Sequence, residues 1–315
     1  MTTTALLWFR RDLRLADHPA LTRALGEFDR VAPVFVLDDA LLRGRFASAP
    51  RTAFMLGCLR ELAGALRERG SGLVIRHGRP EEELVALARD VAASAVLWTS
   101  DVAPYARARD GRVTEALRAA GAAPLPQGGA YVVDVSKPRT KAGRPFTVFT
   151  PFHRHWLDLQ RRTVHRAPAE LPALPSSLPT GRLPALTALG LDDAELAEPA
   201  CEPGESAARA ALARWLDGAV DRYGDGHDAL GQAGTSRLSP YLRWGCISAA
   251  ECEARAARHG GAGAEAWIRQ LCWREFYAHV LLTHPGDARR EHQERYRDLQ
   301  WHDDRDALDA WREGR

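Results

Sequence analysis

Lysine is almost missing from this 315-residue chain: Lys137 and Lys141 are the only two, so nearly all of its 43 basic side chains are arginines. Arginine keeps its charge and forks onto carboxylates and phosphates, which suits bidentate anion contacts. The same bias, beside the abundance of alanine, also fits genomic base composition. The formal net charge is only +2, which says nothing about partners. From Arg243 to Arg315, 12 arginines stand among 13 acidic residues, so there is no basic block. Any phosphate-binding surface there has to come from spatial sorting of charge. Cysteine is scarce as well. Cys58, Cys201, Cys246, Cys252 and Cys272 are an odd number without a CxxC pair, which argues against a disulfide framework or a thiolate metal site and leaves buried thiols. No apolar run reaches membrane-spanning length, and Met1–Thr4 lacks the basic start of a secretory signal, so a cytoplasmic, membrane-free protein is expected. His153 and His155 have no third ligand nearby, and no metal is expected.

What the chain does have is alternation. Ala5–Phe9, Val31–Leu37, Gly72–Ile75 and Ala95–Thr99 read as buried strands, and helical spacing recurs near Pro19–Leu25, Arg51–Arg69, Pro80–Val91 and Arg107–Ala120. That order predicts an α/β unit over residues 1–130, a doubly wound parallel sheet with helices on both faces. Ligands of such sheets bind beyond the carboxyl ends of the strands, where Arg10-Arg11-Asp12, Asp38-Asp39 and Asp101 fall. No GxGxxG follows the first strand, so a simple NAD site is absent. Residues 131–205 read as a connector: Val135–Trp156 mixes turn residues with aromatics, and prolines recur between Ala167 and Gly204. Residues 206–315 read as all-helical, with helical spacing over Ser206–Tyr223, Ser248–His259 and Ala264–Thr283.

Two stretches in the helical part bear on chemistry. Gly234–Gly245 gathers a glycine, three hydroxyls and Arg237 ahead of Pro240. It is either a phosphate site or an ordinary run of caps and turns. Further on, Gln270, Trp273, Arg274 and Tyr277 stand at i, i+3, i+4 and i+7, on one helix face. That face either stacks a base and holds an anion or is an aromatic stripe of the core.

Four strings then converge: Leu7-Trp8-Phe9-Arg10-Arg11-Asp12-Leu13-Arg14; Gly143–Phe152; Tyr223 followed by Thr235–Leu242; and Trp273-Arg274-Glu275-Phe276-Tyr277. In this order and at these intervals the chain resembles the DNA photolyases of the photolyase and cryptochrome flavoproteins, from Leu6 to Arg315. The resemblance implies an N-terminal α/β antenna domain and a C-terminal all-helical domain that holds FAD. By position Tyr223, Thr235, Ser236, Arg237, Leu238 and Ser239 would line the cofactor's phosphates and sugar, and Arg274 would reach it. Trp273 would stack on damaged pyrimidines, with Gln270 bonding their polar edges, and Trp301 would be the outermost tryptophan of an electron relay. The implied reaction is light-driven repair of pyrimidine dimers in DNA, by a monomer, with an electron from reduced FAD.

Tyr105-Ala106 stand where folate-binding relatives carry asparagine and glutamate. This favours a deazaflavin or a second flavin over methenyltetrahydrofolate as antenna, with Arg10, Asp38 and Asp101 as its candidate contacts. Gln270 stands where many cyclobutane-dimer enzymes carry glutamate, leaving cyclobutane and (6-4) lesions both open. The stretch Ala310–Arg315 matches a point inside the family's flavin domain, so a product of 315 residues is expected to bind FAD weakly or not at all and to lack repair, whereas a longer form would be the full enzyme. A signalling cryptochrome, and a nucleotide-binding α/β protein with a decayed helical half, are the rival readings.

Overall fold

The computed structural model describes residues 2–44, 46–175, 178–192, 201–229 and 231–315. Positions 176–177 and 193–200 of the expected connector lie outside the described residues. The apolar run at the N-terminus becomes strand β1 (Thr4–Phe9), buried at every position. With β2 (Arg30–Leu37), β3 (Val74–His77), β4 (Ala95–Thr99) and β5 (Ala123–Gln127) it forms a fully parallel sheet in the order β3-β2-β1-β4-β5. Trp8 stands opposite Val34 on one side and Trp98 on the other.

Strand β5 was not among the expected four. Its sequence, Ala-Pro-Leu-Pro-Gln, carries two prolines, and proline is tolerated only where a ladder hydrogen bond can be spared, as at this sheet edge. β3 lies two residues later than the expected Gly72–Ile75.

Because side chains alternate along a strand, β1 feeds two cores. Leu6 and Trp8 join Leu84, Leu87, Val113 and Leu117 on one face. Ala5, Leu7 and Phe9 join Leu21, Leu59 and Leu62 on the other. The helices doing this are α1 (Pro19–Glu27), α3 (Ala49–Glu68), α4 (Pro80–Asp90) and α5 (Pro104–Ala119), with a short α2 (Asp39–Leu42) after β2. Helices thus cover both faces, as the alternation predicts. Proline stands in the first turn of all four longer helices, where its missing N–H costs nothing.

Beyond the sheet come α6 (Phe149–Asp158), α7 (Glu205–Leu216), α8 (Tyr223–Gly226), α9 (Ser239–Trp244), α10 (Ala249–His259), α11 (Gly261–Thr283) and α12 (Arg305–Arg312). α6 is a second element absent from the expectation, since Phe149-Thr150-Pro151 reads as a turn. Its buried side is Phe149, Phe152 and Trp156.

The two halves share one core: the cluster holding Leu7 and Phe9 continues through Leu212, Trp215, Tyr241 and Trp267. They are also sewn together by hydrogen bonds. Leu13 N donates to Trp244 O at 3.1 Å, Arg11 Nε to Arg243 O at 3.0 Å and Arg14 Nη1 to Gly245 O at 3.0 Å. Gly245 ends α9 at φ 66°, and a Cβ there would run into the Arg11 carbonyl and Asp12. Only glycine fits that seam. No helix among the described residues is long and apolar enough to cross a membrane.

Candidate functional site

Helix α11 organises the site because its faces meet three different parts of the chain. Its inner face carries Cys272, Glu275, Phe276 and His279, all buried. Glu275 is the anchor: its carboxylate accepts N–H bonds from Val132, from Val133 at 3.2 Å and from Trp156 Nε1 at 2.8 Å. Burial pushes its pKa up to about 7, and the Trp156 and backbone donors pull against that rise. One turn on, His279 accepts from Phe146 N at 3.1 Å and donates through Nδ1 to Val135 O at 2.8 Å. A loop whose Val132, Val133 and Phe146 N–H groups would otherwise be orphaned is thereby fixed on the helix. Neither Glu275 nor His279 was singled out in the sequence, because their partners lie far away along the chain and helical spacing does not reveal them.

The outer face of α11 carries Gln270, Trp273 and Tyr277. Gln270 and Tyr277 are exposed and Trp273 is half-buried. The Trp273 ring lies flat on Phe149, with centroids 3.5 Å apart and planes at 7°, and Tyr277 stacks 5.6 Å away at 27°. The result is a layered aromatic shelf open to solvent. Phe149 was the part missed, since it lies on α6. Arg274 leaves the shelf: it donates to Ala130 O at 3.1 Å and Leu242 O at 3.4 Å, with its guanidinium 5.0 Å above Tyr131. It bridges the end of the sheet unit to α9.

Two turns nearer the start of α11, Trp267 Nε1 donates to Ser236 Oγ at 3.3 Å. Ser236 Oγ also accepts from Leu238 N at 3.5 Å, so this hydroxyl shapes its own loop. Thr235, Arg237 and Ser239 are exposed, and their side chains have no hydrogen-bond partner among the described residues. Arg237 holds φ at 50°, and Leu238 is the buried foot of the loop. The capping alternative does not account for these hydroxyls: the residue capping α9 is Leu238, with no side-chain capping bond. Behind the loop stands an aromatic wall, Tyr223 edge-on to Trp215 at 5.6 Å and Trp215 beside Trp267 at 6.2 Å. Trp215 Nε1 is buried without an acceptor. Free hydroxyls, an arginine and an orphaned donor around one loop fit an anionic, polar cofactor.

The antenna candidates separate. Arg10 is paired with Asp110 and Thr99 O and lies 4.7 Å over the Trp8 ring. Asp101 pairs with Arg11 at 3.0 Å. Beside them Asp12 meets His18 Nε2 at 3.0 Å. Burial raises the Asp12 carboxyl, but the neighbouring His18 and the Arg10 N–H bond at 2.7 Å outweigh it, and its pKa falls well below the ordinary range. These ions fill the crevice between β1 and β4. Asp38 instead lines a cavity of about 170 Å³ with Gly78, Arg79, Tyr105 and Arg112, and accepts the Tyr105 hydroxyl at 2.5 Å. Trp301 is 77% exposed, in the segment before α12. His153 and His155 diverge, one stacking on Phe149 and the other tilted against Phe146.

The family model for DNA photolyase matches residues 5–175, and that for the FAD binding domain of DNA photolyase matches residues 267–315. The chain belongs to the DNA photolyase family. It is 36% identical to the deoxyribodipyrimidine photo-lyase of Streptomyces griseus over 99% of its own length and 68% of that protein. With the corresponding protein of Halobacterium salinarum it shares 37% over 98% and 68%. The crystal structure of a bacterial class III photolyase from Agrobacterium tumefaciens superposes with a TM-score of 0.88 at 27% identity, covering 100% of this chain and 66% of that one. The chain therefore spans about two thirds of the length of the photolyases it matches. Trp273 and Tyr277 of the shelf and most of α11 lie within the matched flavin domain, and Phe149 lies within the match to the DNA photolyase model.

Proposed function

We propose that the protein, as part of a full-length photolyase, repairs pyrimidine dimers in DNA with light. FAD, when bound, supplies the electron that opens the dimer. The observation that carries the reading is that α11 contributes both Trp273 and Tyr277 to the solvent-open shelf over Phe149 of α6 and Trp267 to the contact with Ser236 of the hydroxyl loop. Thr235, Arg237 and Ser239 offer donors to the cofactor's phosphates, and Tyr223, Trp215 and Leu238 form the wall behind them. Trp273 offers a flat face to bases turned out of the duplex, the manoeuvre known for photolyases as a class. Gln270, exposed three residues away, has both an acceptor and donors for their polar edges. Arg274 acts by holding the Ala130 and Leu242 carbonyls, and so the position of the helix. No nucleophile or acid–base pair is required of the protein, whose part is binding and orientation.

For the antenna we favour a deazaflavin or flavin bound beside Asp38, Tyr105 and Arg112, because an open cavity lies there. The experiment is blue-light treatment of a dimer-containing oligonucleotide with the complete protein carrying reduced FAD. Recovery of intact pyrimidines is expected. Unrepaired substrate despite bound, reducible flavin would refute the reading.

A further inference from the structure

Past the end of α11 the chain turns through a short 3-10 helix, Pro285–Ala288, and brings together two imidazoles and a carboxylate that the flavin and DNA reading does not use. One ligand-capable atom each from His284, Asp287 and His292 lie within 4.8 Å of one another. The imidazole rings of His284 and His292 stand edge to face at 5.0 Å, and His292 Nδ1 lies 2.6 Å from Asp287 Oδ2.

We propose that His284, Asp287 and His292 form a site for a zinc-like divalent transition-metal ion, which clasps the segment 285–292 onto the end of α11. Two neutral imidazoles and one carboxylate are a donor set that zinc accepts, leaving a fourth position for water.

A second observation points the same way. Thr283 Oγ1 donates its only hydrogen toward backbone carbonyls, to His279 O at 2.8 Å with Val280 O at 3.3 Å. Its contact with His284 Nδ1 at 2.9 Å therefore uses the oxygen's lone pair, and Nδ1 carries the ring proton. That leaves the lone pair of His284 on Nε2. Metal-binding histidines are held in this way, with the remote ring N–H given to an outer acceptor that fixes tautomer and orientation. At His292 the Nδ1 proton now sits between the ring and the Asp287 carboxylate. Metal binding exchanges that proton for the ion, and the proton leaves to solvent. The place is favourable to a cation on general grounds as well, since the negative end of a 23-residue helix faces it.

The test uses the full chain stripped with a chelator and titrated with Co²⁺, then Zn²⁺. One equivalent of Co²⁺ is expected to give a visible d–d band of a four-coordinate site, with no sulfur charge-transfer band, and to be displaced by Zn²⁺. His292→Ala alters an exposed side chain and should abolish the band at one equivalent. Thr283→Val keeps the shape of the helix end and should weaken Co²⁺ binding by about 10-fold or more, the usual effect of removing an outer partner. His153→Ala should leave binding unchanged. Zn²⁺ should also slow tryptic cleavage after Arg289 and Arg290. No band at near-millimolar Co²⁺, a band unaffected by His292→Ala, a sulfur charge-transfer band, or cleavage indifferent to bound Zn²⁺ would each overturn the proposal.

Discussion

Replacing Glu275 by glutamine should change how stability depends on pH more than it changes the fold. Burial raises the folded-state pKa of this carboxyl from the ordinary 4.5 to about 7. A raised pKa means that the folded chain holds a proton the unfolded chain has already lost. The group's contribution is therefore full below about pH 4.5 and is lost as pH rises through about 7. At 1.36 kcal/mol for each tenfold change in proton affinity, the whole effect is about 3.4 kcal/mol, and about 2.5 kcal/mol of it falls between pH 5 and pH 8. Other groups titrate in the same window: burial lowers the pKa of His279, which acts in the opposite direction. The comparison of wild type with Glu275→Gln cancels them. Glutamine keeps the shape but has no proton to lose. Urea unfolding of both proteins at several pH values is the assay, and the wild type's stability relative to the variant should fall by about 2.5 kcal/mol from pH 5 to pH 8. Two curves that stay parallel would refute the reasoning, because they would mean that Glu275 ionises alike in folded and unfolded chains.

Trp273→Ala should leave the fold intact and weaken binding of dimer-containing DNA to the full-length protein by about 10-fold or more, as loss of one base-stacking ring does; fluorescence anisotropy measures it. Ser236→Ala leaves the Trp267 and Leu238 N–H groups without their acceptor and should cost about 1–2 kcal/mol of stability, with faster loss of flavin colour on dialysis. Gly245→Ala places a Cβ at positive φ against the Arg11 carbonyl and should destabilise by about 3 kcal/mol or more in denaturant melts. In native buffer a thiol reagent should react quickly with at most one cysteine, the half-buried Cys201, and with all five after unfolding, since the other four are buried.

The strands and helices whose apolar residues recur with a plain period were legible in the sequence: β1, β2 and β4, and the long helices α3 and α11. The pieces that escaped did so because the local signal opposes the tertiary outcome. Pro124 and Pro126 speak against a strand, yet a sheet edge tolerates them in β5. Phe149-Thr150-Pro151 looks like a turn, yet Phe152 and Trp156 bury against α11 and make α6. At the site, the hydroxyl loop and Trp273 were visible as residue types in order. Phe149 beneath Trp273, the Trp215 wall and the Glu275 anchor were not, because each depends on a neighbour brought in from another element. Arg10 and Asp101 looked open at the strand ends and turned out to be paired with Asp110 and Arg11.

The seam at Gly245 has a consequence for inheritance. Leu13, Arg11 and Arg14 give their donors to the backbone of residues 243–245, so the complementarity lies in how two distant loops run, with few side chains to exchange. A gene shuffled between relatives at the boundary of sheet and helices would keep both halves and still fail wherever the paths of those loops differ by an ångström. The sheet half and the helical half of this lineage are thus obliged to drift together.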